Sequence, residues 1–562
     1  MKKILFATAL FAVSTQAFAA AHFTGFSYVG EDVLKPCDPA TEYRNPILGG
    51  MAPDPAITRK GNDFYLANSS FSYFPGIPIY HSTDLVSWNF CGYVGDTVSK
   101  LNFHDGVGLS AGVFAPDIKY NPYNDTFYLI VTVIGDRGNV VYKSKDPYQG
   151  WSEPIKVPVG GIDPSFFFED DKTAWILNND DAPGGKAEYD GHRTVRMRKY
   201  DLVKDECVPG TERIIINKGV RPEDKPIWCE GPHLYKIDGR YWVMTAEGGT
   251  GGWHSEVMWV ADAVEGPYKP CKINPILTQR ELPHDRPAPI TAAGHADLFQ
   301  TPGGDWMAIF LAIEPYRRAN GQLASNSGRN TYLLPVEWVG EGKDRQPVIL
   351  EKGKIVERVL PKTEWMKKVP CVPSRRAVAT ELSGNVAYRD DFTSPTLDWS
   401  WFSERGPATF AKPGPAGLTL VPTGKTLNDE ATPAYLCRWI RNNNFTTQIT
   451  CDFDPAKNGA FAGLAAFQNE KCYYAIGLMM QDGKPVVALR KADKGRVSIV
   501  ATAPAPKGPV QLRTVLRGAE IVFAWSVDGK TWNDLGGKQD SFLLSTDYAG
   551  GFVAMTIGPF VE

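Results

Sequence analysis

Long apolar runs are missing from this sequence once its first residues are passed. No later stretch approaches the roughly 18 or more apolar residues that a membrane-spanning helix needs. Long runs of Lys or Arg are also missing, and the formal net charge of the 562 residues is only −3. These two absences argue against a nucleic-acid partner and a membrane partner. A neutral or weakly charged partner is expected instead.

The cysteines form no C-x-x-C pair and show no zinc-type spacing. An odd number leaves at least one thiol unpaired within a monomer. A chain of this length can be stabilised by its core, so several buried free thiols are expected, and the sequence leaves their pairing open. The nine positions are Cys37, Cys91, Cys207, Cys229, Cys271, Cys371, Cys437, Cys451 and Cys472.

Residues 1–20 have the pattern of a signal peptide. Lys2 and Lys3 precede the apolar run "ILFATALFAV", and Ala17-Phe18-Ala19 is a typical cleavage site. We therefore predict that this segment is removed near Ala19 and that the mature chain is periplasmic or secreted.

Helical periodicity is scarce in the next 330 or so residues, whereas short runs rich in Val, Ile, Tyr, Phe and Trp alternate with turn residues. One aromatic strand pattern recurs five times: "GNDFYLANSS", "NDTFYLIVTV", "DDKTAWILNN", "DGRYWVMTAE" and "GGDWMAIFLA". Each copy follows a shorter strand that begins with an ionisable residue. These starting residues are Asp54, Asp117, Asp163, Glu230 and His295.

The starting residues recur at intervals of about 46 to 67 residues, which is the size of a propeller blade. We therefore predict an all-β fold whose first part, residues 40–350, is a five-bladed β-propeller. The innermost strand of each blade lines the central channel of such a fold. The five starting residues are accordingly expected to form one ring around the axis.

An isolated Asp-Pro is usually only a turn, because Asp bonds to its own backbone and Pro fixes φ. Three carboxylates at matching repeat positions favour chemistry instead, since converging like charges shift pKa values. Hydrolysis of a glycosidic bond needs an acid on one side of the sugar and a base or nucleophile on the other. A third carboxylate can raise the pKa of the acid.

Residues 45 to 350 resemble glycoside hydrolase family 43 in the segments "NPILGGMAPDPAITRKGNDFYLANSS", "GVFAPDIKYN", "GIDPSFFFEDD", "YDGHRTVRMRKYD", "CEGPHLYKIDGRYWVMTAE", "TAAGHADLFQT" and "GRNTYLLPVEW". The resemblance implies a five-bladed propeller that cleaves xylose- or arabinose-containing glycans with inversion. It assigns Asp54 as general base, Glu230 as general acid and Asp163 as the residue that raises the pKa of the acid and orients it. Asp117 stays outside this catalytic set, because "APDI" can simply close a turn.

The same resemblance implies substrate-binding roles for Phe71, Arg329 and His295, and His295 is also a candidate neighbour of a structural Ca²⁺. A histidine satisfied within the core is the alternative for His295. No cofactor is expected to be required. Trp253 and His254, in "EGGTGGWHS", are predicted to shape the sugar pocket; this glycine run lacks the G-K-[ST] ending of a phosphate loop.

Three positions depart from the family pattern and leave the sugar open. Phe114 replaces a usual Trp, Met51-Ala52 replaces a usual aromatic, and Asn330 replaces a frequent Glu. We expect them to alter the walls that distinguish a xylopyranosyl from an arabinofuranosyl group.

Residues 351–384 are predicted to form a linker, and residues 385–562 a C-terminal β-sandwich of the jelly-roll, concanavalin-like type. The sandwich resembles the domain fused to many family 43 enzymes, where it lends a loop to the pocket rim. The predicted function is an inverting exo-glycosidase, a β-xylosidase acting on xylo- or arabino-oligosaccharides, with α-L-arabinofuranosidase as the alternative. A propeller that binds glycans without cleaving them is a more remote hypothesis. The sequence is also compatible with a homo-oligomer.

Overall fold

The computed structural model describes residues 19–170, 172–372, 375 and 382–562. Most of the predicted signal segment and part of the predicted linker therefore lie outside the described residues. Within the described part, every helix is too short or too polar to span a bilayer.

Five antiparallel sheets follow one another along the chain, which confirms the predicted propeller. Blade one contains Ala56–Lys60, Asp63–Ala67, Gly76–Ser82 and Asn89–Gly95. Blade two contains Gly112–Asn121, Thr126–Ile134, Gly138–Ser144 and Ile155–Lys156. Blade three contains Ile162–Phe168, Ala174–Asp181, Arg193–Asp201, Glu206–Cys207 and Arg213–Asn217. Blade four contains Glu230–Ile237, Arg240–Glu247, Ser255–Ala261, Lys269–Pro270 and Leu277–Thr278, and blade five Thr291–Gln300, Trp306–Ile313 and Arg329–Pro335.

The recurring aromatic pattern forms the second strand of each blade. Tyr65, Tyr128, Trp175 and Trp242 are buried in it, and they pack into apolar clusters shared by neighbouring blades. The repeat thus provides the packing that holds one blade against the next. The ring closes where the segment before blade one meets blade five, at the bridge between Leu48 and Thr331.

Two sheets packed face to face form the C-terminal sandwich, as predicted. One sheet contains Ala21–Gly30, Ala387–Asp390, Ala411–Gly414, Gly417–Leu420, Asn444–Asp452, Val510–Arg517, Glu520–Ser526, Asn533–Asp534 and Gln539–Asp540. The other contains Ala434–Tyr435, Arg438–Trp439, Phe461–Asn469, Cys472–Gln481, Lys484–Asp493, Arg496–Pro504 and Thr556–Val561. A single large apolar cluster fills the space between them.

The N-terminal strand Ala21–Gly30 belongs to this sandwich, which the sequence analysis missed. It pairs with Asn444–Asp452, Gly417–Leu420 and Ala387–Asp390. The described chain therefore contributes a strand to the sandwich, then forms the propeller, and then returns to complete the sandwich. Nothing local in the ten residues of the strand indicates partners that lie more than 350 residues away.

Short elements connect the blades and tie the two domains together. The two-stranded pairs are Glu42–Arg44 with Val359–Pro361, Tyr316–Arg317 with Leu323–Ala324, Glu337–Val339 with Gln346–Val348, and Tyr73–Phe74 with Ser403–Glu404. The helical turns are Pro183–Gly185, Pro222–Asp224, Gly342–Asp344 and Ser541–Leu544, and the one short α-helix in the described residues is Thr546–Ala549.

The interface between the domains is apolar and carries one buried charge cluster. Arg405 is fully buried; its backbone N–H donates to Ser72 and its Nε to Val107, both in the propeller. Its guanidinium also contacts Glu404 and Glu470. A core that contains both Phe71 of blade one and sandwich residues surrounds this cluster. The two domains are therefore packed as one body at the face where the site lies.

The cysteines agree with the expectation of buried thiols. Cys229, Cys437, Cys451 and Cys472 are buried, and no disulfide joins any two cysteines in the described residues.

Candidate active site

A cavity of about 280 Å³ opens at one end of the propeller channel. Residues from all five blades and one residue of the sandwich line it. They are Asp54, Phe71, Phe114, Ala115, Ile162, Asp163, Arg193, Trp228, Glu230, Gly249, Thr250, His295, Arg329 and Phe552.

A backbone device recurs at the floor of this cavity. Asp54, Ala115, Asp163, Gly231 and His295 all have positive φ, between 37° and 58°. Around four of these positions the pairing of the innermost strand with the second strand shifts register. A bulge of this kind re-aims a side chain that regular pairing would direct elsewhere. In blades three and five the residues at the bulge are Asp163 and His295. In blade one, where the pairing is regular, Asp54 has the same positive φ just before the first strand, and all three residues line the cavity.

The prediction that five ionisable residues occupy equivalent positions in one ring is therefore wrong for blades two and four. In blades two and four the equivalent residues are Ala115 and Gly231. Glu230 precedes its bulge by one residue and reaches the cavity from the rim, half-buried. Asp117 follows its bulge by two residues and lies in the next layer of the channel, outside the catalytic cavity. Spacing counted along the sequence misses such shifts, because a bulge adds a residue to one strand only.

Asp54 is held as a buried anion. Its Oδ1 accepts a hydrogen bond from Arg329 Nη1 at 2.9 Å, and its Oδ2 accepts one from Ser69 Oγ at 2.6 Å. Burial by itself would raise the pKa of Asp54, but the charge of Arg329, then that of His295 and the Ser69 bond outweigh burial and hold the pKa below the usual range. Asp54 is thus ready to accept a proton.

Glu230 has the opposite environment. Burial first, and then the negative charges of Asp163 and Asp54, raise the pKa of Glu230 well above that of an ordinary glutamate. Arg329 and Arg193 oppose the shift without cancelling it. Glu230 is thus suited to carry a proton near neutral pH.

Asp163 is the third carboxyl group that lines the cavity. Its Oδ2 accepts the backbone N–H of Gly231 at 3.1 Å, which ties it to the segment that carries Glu230. Burial, partly offset by His295, and the charge of Asp54 raise the pKa of Asp163. The three carboxyl groups therefore act on one another electrostatically across a single cavity.

His295 forms part of the cavity floor. Its Nδ1 lies 3.7 Å from Asp54 Oδ1, and its ring packs under Gly231, where an added Cβ would come within 2.9 Å of Nε2. A side chain at position 231 would therefore collide with the imidazole, and the positive φ of 58° disfavours one as well. This contact fixes the segment that presents Glu230.

Three phenylalanines close one side of the cavity. Phe71 packs edge-on to Phe114, with ring centroids 5.4 Å apart, and is nearly parallel to Phe552 at 6.3 Å. Phe552 comes from the sandwich, where its backbone N–H donates to Ser110 Oγ of the propeller at 2.8 Å. The expectation that the sandwich lends a loop to the rim thus matches the observed contact. Such faces suit the apolar side of a sugar ring.

Only one of the three departures from the family pattern lines the cavity, namely Phe114. Met51 is buried and packs in the core between the domains. Asn330 is buried and accepts the backbone N–H of Gly50 at 2.7 Å. These two substitutions therefore act on the support of the cavity and leave its lining unchanged.

Two predicted binding residues lie outside the cavity lining. His254 is buried behind it, where its Nδ1 is 2.9 Å from the carbonyl oxygen of Ala292, and burial lowers the pKa of His254 to about 4. Trp253 is 73% exposed and lines a different, neighbouring cavity. By contrast, Phe71, Arg329 and His295 all line the catalytic cavity.

Four polar or aromatic lining residues were not predicted from the sequence, namely Arg193, Trp228, Thr250 and Phe552. The Arg193 guanidinium lies 4.4 Å from the ring centroid of Trp228, and Thr250 Oγ1 accepts from Arg329 Nη1 at 3.1 Å. Arg193 and Trp228 stand inside or beside the quoted segments "YDGHRTVRMRKYD" and "CEGPHLYK". Arg193 and Trp228 could therefore have been found from these segments, but neither occupies a position of the repeat.

Below the cavity, a buried group could hold a metal ion such as Ca²⁺. Asp117, His233 and Asp297 each offer a ligand atom, and these atoms lie within 4.8 Å of one another. Each residue follows the bulge of its blade by two positions, which explains why they meet. The predicted neighbour of a cation, His295, is not a member of this group.

Two features of this group fit a metal ion, and a neighbouring lysine competes with one. Asp117 Oδ1 and His233 Nδ1, 3.6 Å apart, make no hydrogen bond within the described residues. Burial lowers the pKa of His233 to about 3, so its imidazole is neutral as a metal ligand requires. Lys119 competes for the same carboxylates, because its Nζ lies 2.7 Å from Asp297 Oδ2 and 3.3 Å from Asp117 Oδ1.

Asp54, with a lowered pKa, and Glu230, with a raised pKa, lie around one cavity with apolar walls, and such a pair has the properties that a general base and a general acid need. Two carboxyl groups in these roles are what hydrolysis of a glycosidic bond requires. The fold and the site therefore define a glycoside hydrolase.

Comparisons with known proteins agree. Residues 43–343 match the family described as Glycosyl hydrolases family 43, and residues 389–562 match the Beta xylosidase C-terminal Concanavalin A-like domain. The chain belongs to glycosyl hydrolase family 43.

Relatives resemble the chain over nearly its whole length. It is 32% identical to "Non-reducing end alpha-L-arabinofuranosidase BoGH43B" of Bacteroides ovatus, over 92% of this chain and 91% of that protein. It is 31% identical to "Xylosidase/arabinosidase" of Butyrivibrio fibrisolvens, over 92% and 95%. A crystal structure of a GH43_12 protein retrieved from capybara gut metagenome superposes with a TM-score of 0.87 at 39% identity, covering 97% of this chain and all of that one.

Proposed function

We propose that the chain is an inverting exo-glycosidase that releases xylose from the non-reducing ends of xylo-oligosaccharides, and that it is exported. The observation that carries the proposal is the opposed pKa shifts of Asp54 and Glu230 around one cavity. A propeller that only binds glycans has no use for two carboxyl groups poised in opposite protonation states.

In the proposed reaction, Asp54 takes a proton from a water molecule as that water attacks the anomeric carbon. Glu230 gives its proton to the glycosidic oxygen, so the bond between that oxygen and the anomeric carbon breaks. The sugar leaves with inverted configuration, and the remaining oligosaccharide leaves as the alcohol. Inversion needs about 6.5–9.5 Å between the two carboxyl groups to leave room for the water.

Arg329 and Asp163 support these two steps. Arg329 keeps Asp54 ionised and, from its place in the cavity wall, can also donate to a sugar hydroxyl. Asp163 contributes to the raised pKa of Glu230 and holds its segment through Gly231. Inverting hydrolysis uses no covalent intermediate, so none of these residues acts as a nucleophile toward the sugar.

The size of the cavity favours exo action. About 280 Å³ is below the ~300–1,000 Å³ usual for small-molecule sites. It suits one sugar residue better than the middle of a chain. Phe552 from the sandwich, together with Phe71 and Phe114, restricts the cavity further.

Release of α-L-arabinofuranose is the second candidate. The name of the Bacteroides ovatus relative favours it, and the Butyrivibrio fibrisolvens relative carries both activities in its name. Both sugars are pentoses with one apolar face, which the phenylalanine wall accepts equally well.

If a metal ion binds below the cavity, Asp117, His233 and Asp297 would hold it. It would supply positive charge to the channel and stabilise the innermost strands of blades two, four and five. The reaction above uses only side chains of the cavity.

The test is hydrolysis of 4-nitrophenyl β-D-xylopyranoside and α-L-arabinofuranoside by the protein and by Asp54→Asn. We expect turnover of at least one substrate, with a loss of roughly 10²-fold or more in the variant. Proton NMR of the first product formed should show the anomer opposite to that of the substrate. Turnover of neither sugar, or retention of configuration, would overturn the proposal.

A further inference from the structure

Trp253 is the one exposed tryptophan among the large exposed apolar residues of the described part, with 73% of its surface open to solvent. It lies on the loop between strands Arg240–Glu247 and Ser255–Ala261. Single exposed apolar residues are common, but an exposed indole beside a cavity offers a flat apolar face on which a ring can pack.

Trp253 and Gly248 line a second cavity, of about 450 Å³. Gly249 and Thr250, on the same loop, line the catalytic cavity. The loop 248–254 is therefore a wall shared by both cavities.

A second segment forms the same kind of wall. Ile227 lines the second cavity and is 39% exposed, whereas the next residue, Trp228, lines the catalytic cavity. The backbone of the two walls is joined where Gly248 N–H donates to the carbonyl oxygen of Ile227 at 2.9 Å. A chain that leaves the catalytic cavity over this edge meets Ile227 and Trp253 next.

The charges of the second cavity are balanced. Its cationic residues are Arg221, Lys225 and Arg280, and its acidic residues are Asp224, Glu247 and Glu281. Arg221 lies 3.0 Å from Asp224, and Glu281 is paired with Lys352 at 2.9 Å. A balanced lining fits a neutral ligand better than a phosphate, a nucleic acid or an acidic peptide.

The lining also matches the chemistry of carbohydrates. An exposed indole can pack on the apolar face of a sugar ring. The Arg280 guanidinium, which donates to Ser255 Oγ at 3.2 Å, has further N–H groups to offer to hydroxyls. The cavity therefore offers both kinds of contact that a sugar uses, an aromatic face and side chains that hydrogen-bond to hydroxyls.

We propose that the second cavity binds the leaving-group side of the substrate, a neutral β-1,4-linked xylo-oligosaccharide that crosses the edge formed by Ile227–Trp228 and Gly249–Thr250. Trp253 packs on a sugar ring one or more residues beyond the cleaved bond. This assignment rests on the proposed function. It implies that loss of the indole of Trp253 impairs hydrolysis of oligosaccharides more than hydrolysis of aryl glycosides of a single sugar.

The experiment compares kcat/KM for xylotetraose with kcat/KM for 4-nitrophenyl β-D-xylopyranoside in four proteins: the unmodified chain, Trp253→Ala, Trp253→Phe and Tyr123→Ala. In Trp253→Ala the ratio of the two constants should fall roughly three- to tenfold, mainly through KM for xylotetraose. Trp253→Phe keeps an aromatic face and should recover most of the ratio. Tyr123, 41% exposed on blade two and in neither cavity lining, is the matched control and should leave the ratio unchanged.

An unchanged ratio in Trp253→Ala would overturn the inference while leaving the proposed function standing. Turnover of neither aryl glycoside by the unmodified chain would overturn the proposed function instead. In that event, calorimetric titration of xylotetraose into Asp54→Asn, with and without Trp253→Ala, decides about the cavity. Binding that weakens on loss of the indole supports the assignment, and binding that does not weaken, or is absent, contradicts it.

Discussion

Arg329 Nη1 lies 2.9 Å from Asp54 Oδ1, and this ion pair is what keeps the buried Asp54 an anion. Both side chains are nearly buried, so water screens the pair weakly. The same guanidinium faces the cavity. The protonation of the proposed base therefore depends on a residue that also forms the sugar site.

Loss of Arg329 should move the acidic limb of the pH profile. Without the guanidinium, burial dominates and the pKa of Asp54 rises, so the ionised base appears only at higher pH. We expect the acidic limb of kcat/KM in Arg329→Met to shift to higher pH, together with a fall in kcat. Arg329→Lys retains the charge and should keep the limb closer to its original place. Superimposable limbs in all three proteins would contradict this account of Asp54.

Glu230→Gln should discriminate between leaving groups. Acid assistance typically contributes about 10²–10⁴-fold, and it matters least when the departing group is already a good one. Activity on xylobiose should therefore fall much further than activity on 2,4-dinitrophenyl β-D-xylopyranoside. Asp54→Asn is the comparison, since loss of the base should affect both substrates alike. Equal losses in Glu230→Gln would argue against the acid assignment.

Asp163→Asn should shift the alkaline limb of the profile. Glu230 must carry a proton, so activity is lost as pH rises through its pKa. Burial still raises that pKa in the variant, but the negative charge of Asp163 is gone, so the limb should move to lower pH. An asparagine oxygen can still accept the Gly231 N–H, which limits structural effects. Asp238→Asn, at an exposed position, serves as the control and should not move the limb.

Lys119→Met should strengthen cation binding below the cavity. Lys119 contacts Asp117 and Asp297, two of the three residues that could hold a metal ion. Removing its charge leaves two carboxylates facing each other, so a divalent cation gains affinity. We expect Ca²⁺ to raise the melting temperature of Lys119→Met more than that of the unmodified chain, and EDTA to reverse the gain. Equal responses of the two proteins would show that Lys119 and a cation do not compete.

Arg405→Ala should destabilise the protein strongly. Arg405 is fully buried, and its removal leaves Glu404 and Glu470 without their partner in the apolar interface. Breaking a buried pair in this way typically costs about 3–5 kcal/mol. Urea denaturation should show the loss, and Arg389→Ala, with an arginine side chain 74% exposed, should change stability by less than about 1 kcal/mol. A small effect in Arg405→Ala would mean that the cluster does not hold the domains together.

Most of the fold was readable from the sequence, because strands in a propeller repeat. The five aromatic patterns predicted five blades, and alternating patterns after residue 385 predicted the sandwich. The strand Ala21–Gly30 escaped prediction because its partners come from the far end of the chain. Local periodicity indicates that a segment is a strand, but it does not indicate which sheet the strand joins.

The amino-acid sequence alone determined the blade count and brought Asp54, Asp163, Glu230, Phe71, Arg329 and His295 forward as site residues. Only the tertiary structure decided how deep in the cavity each of these residues lies. The bulges place His295 at the floor with Asp54 and Asp163, leave Glu230 at the rim and move Asp117 down to His233 and Asp297. Tertiary packing also placed Phe552 of the sandwich in the cavity and Trp253 outside it. The physical reason is that side-chain type and spacing are local, whereas the direction of a side chain at a bulge and the meeting of two domains depend on the packing of the whole chain.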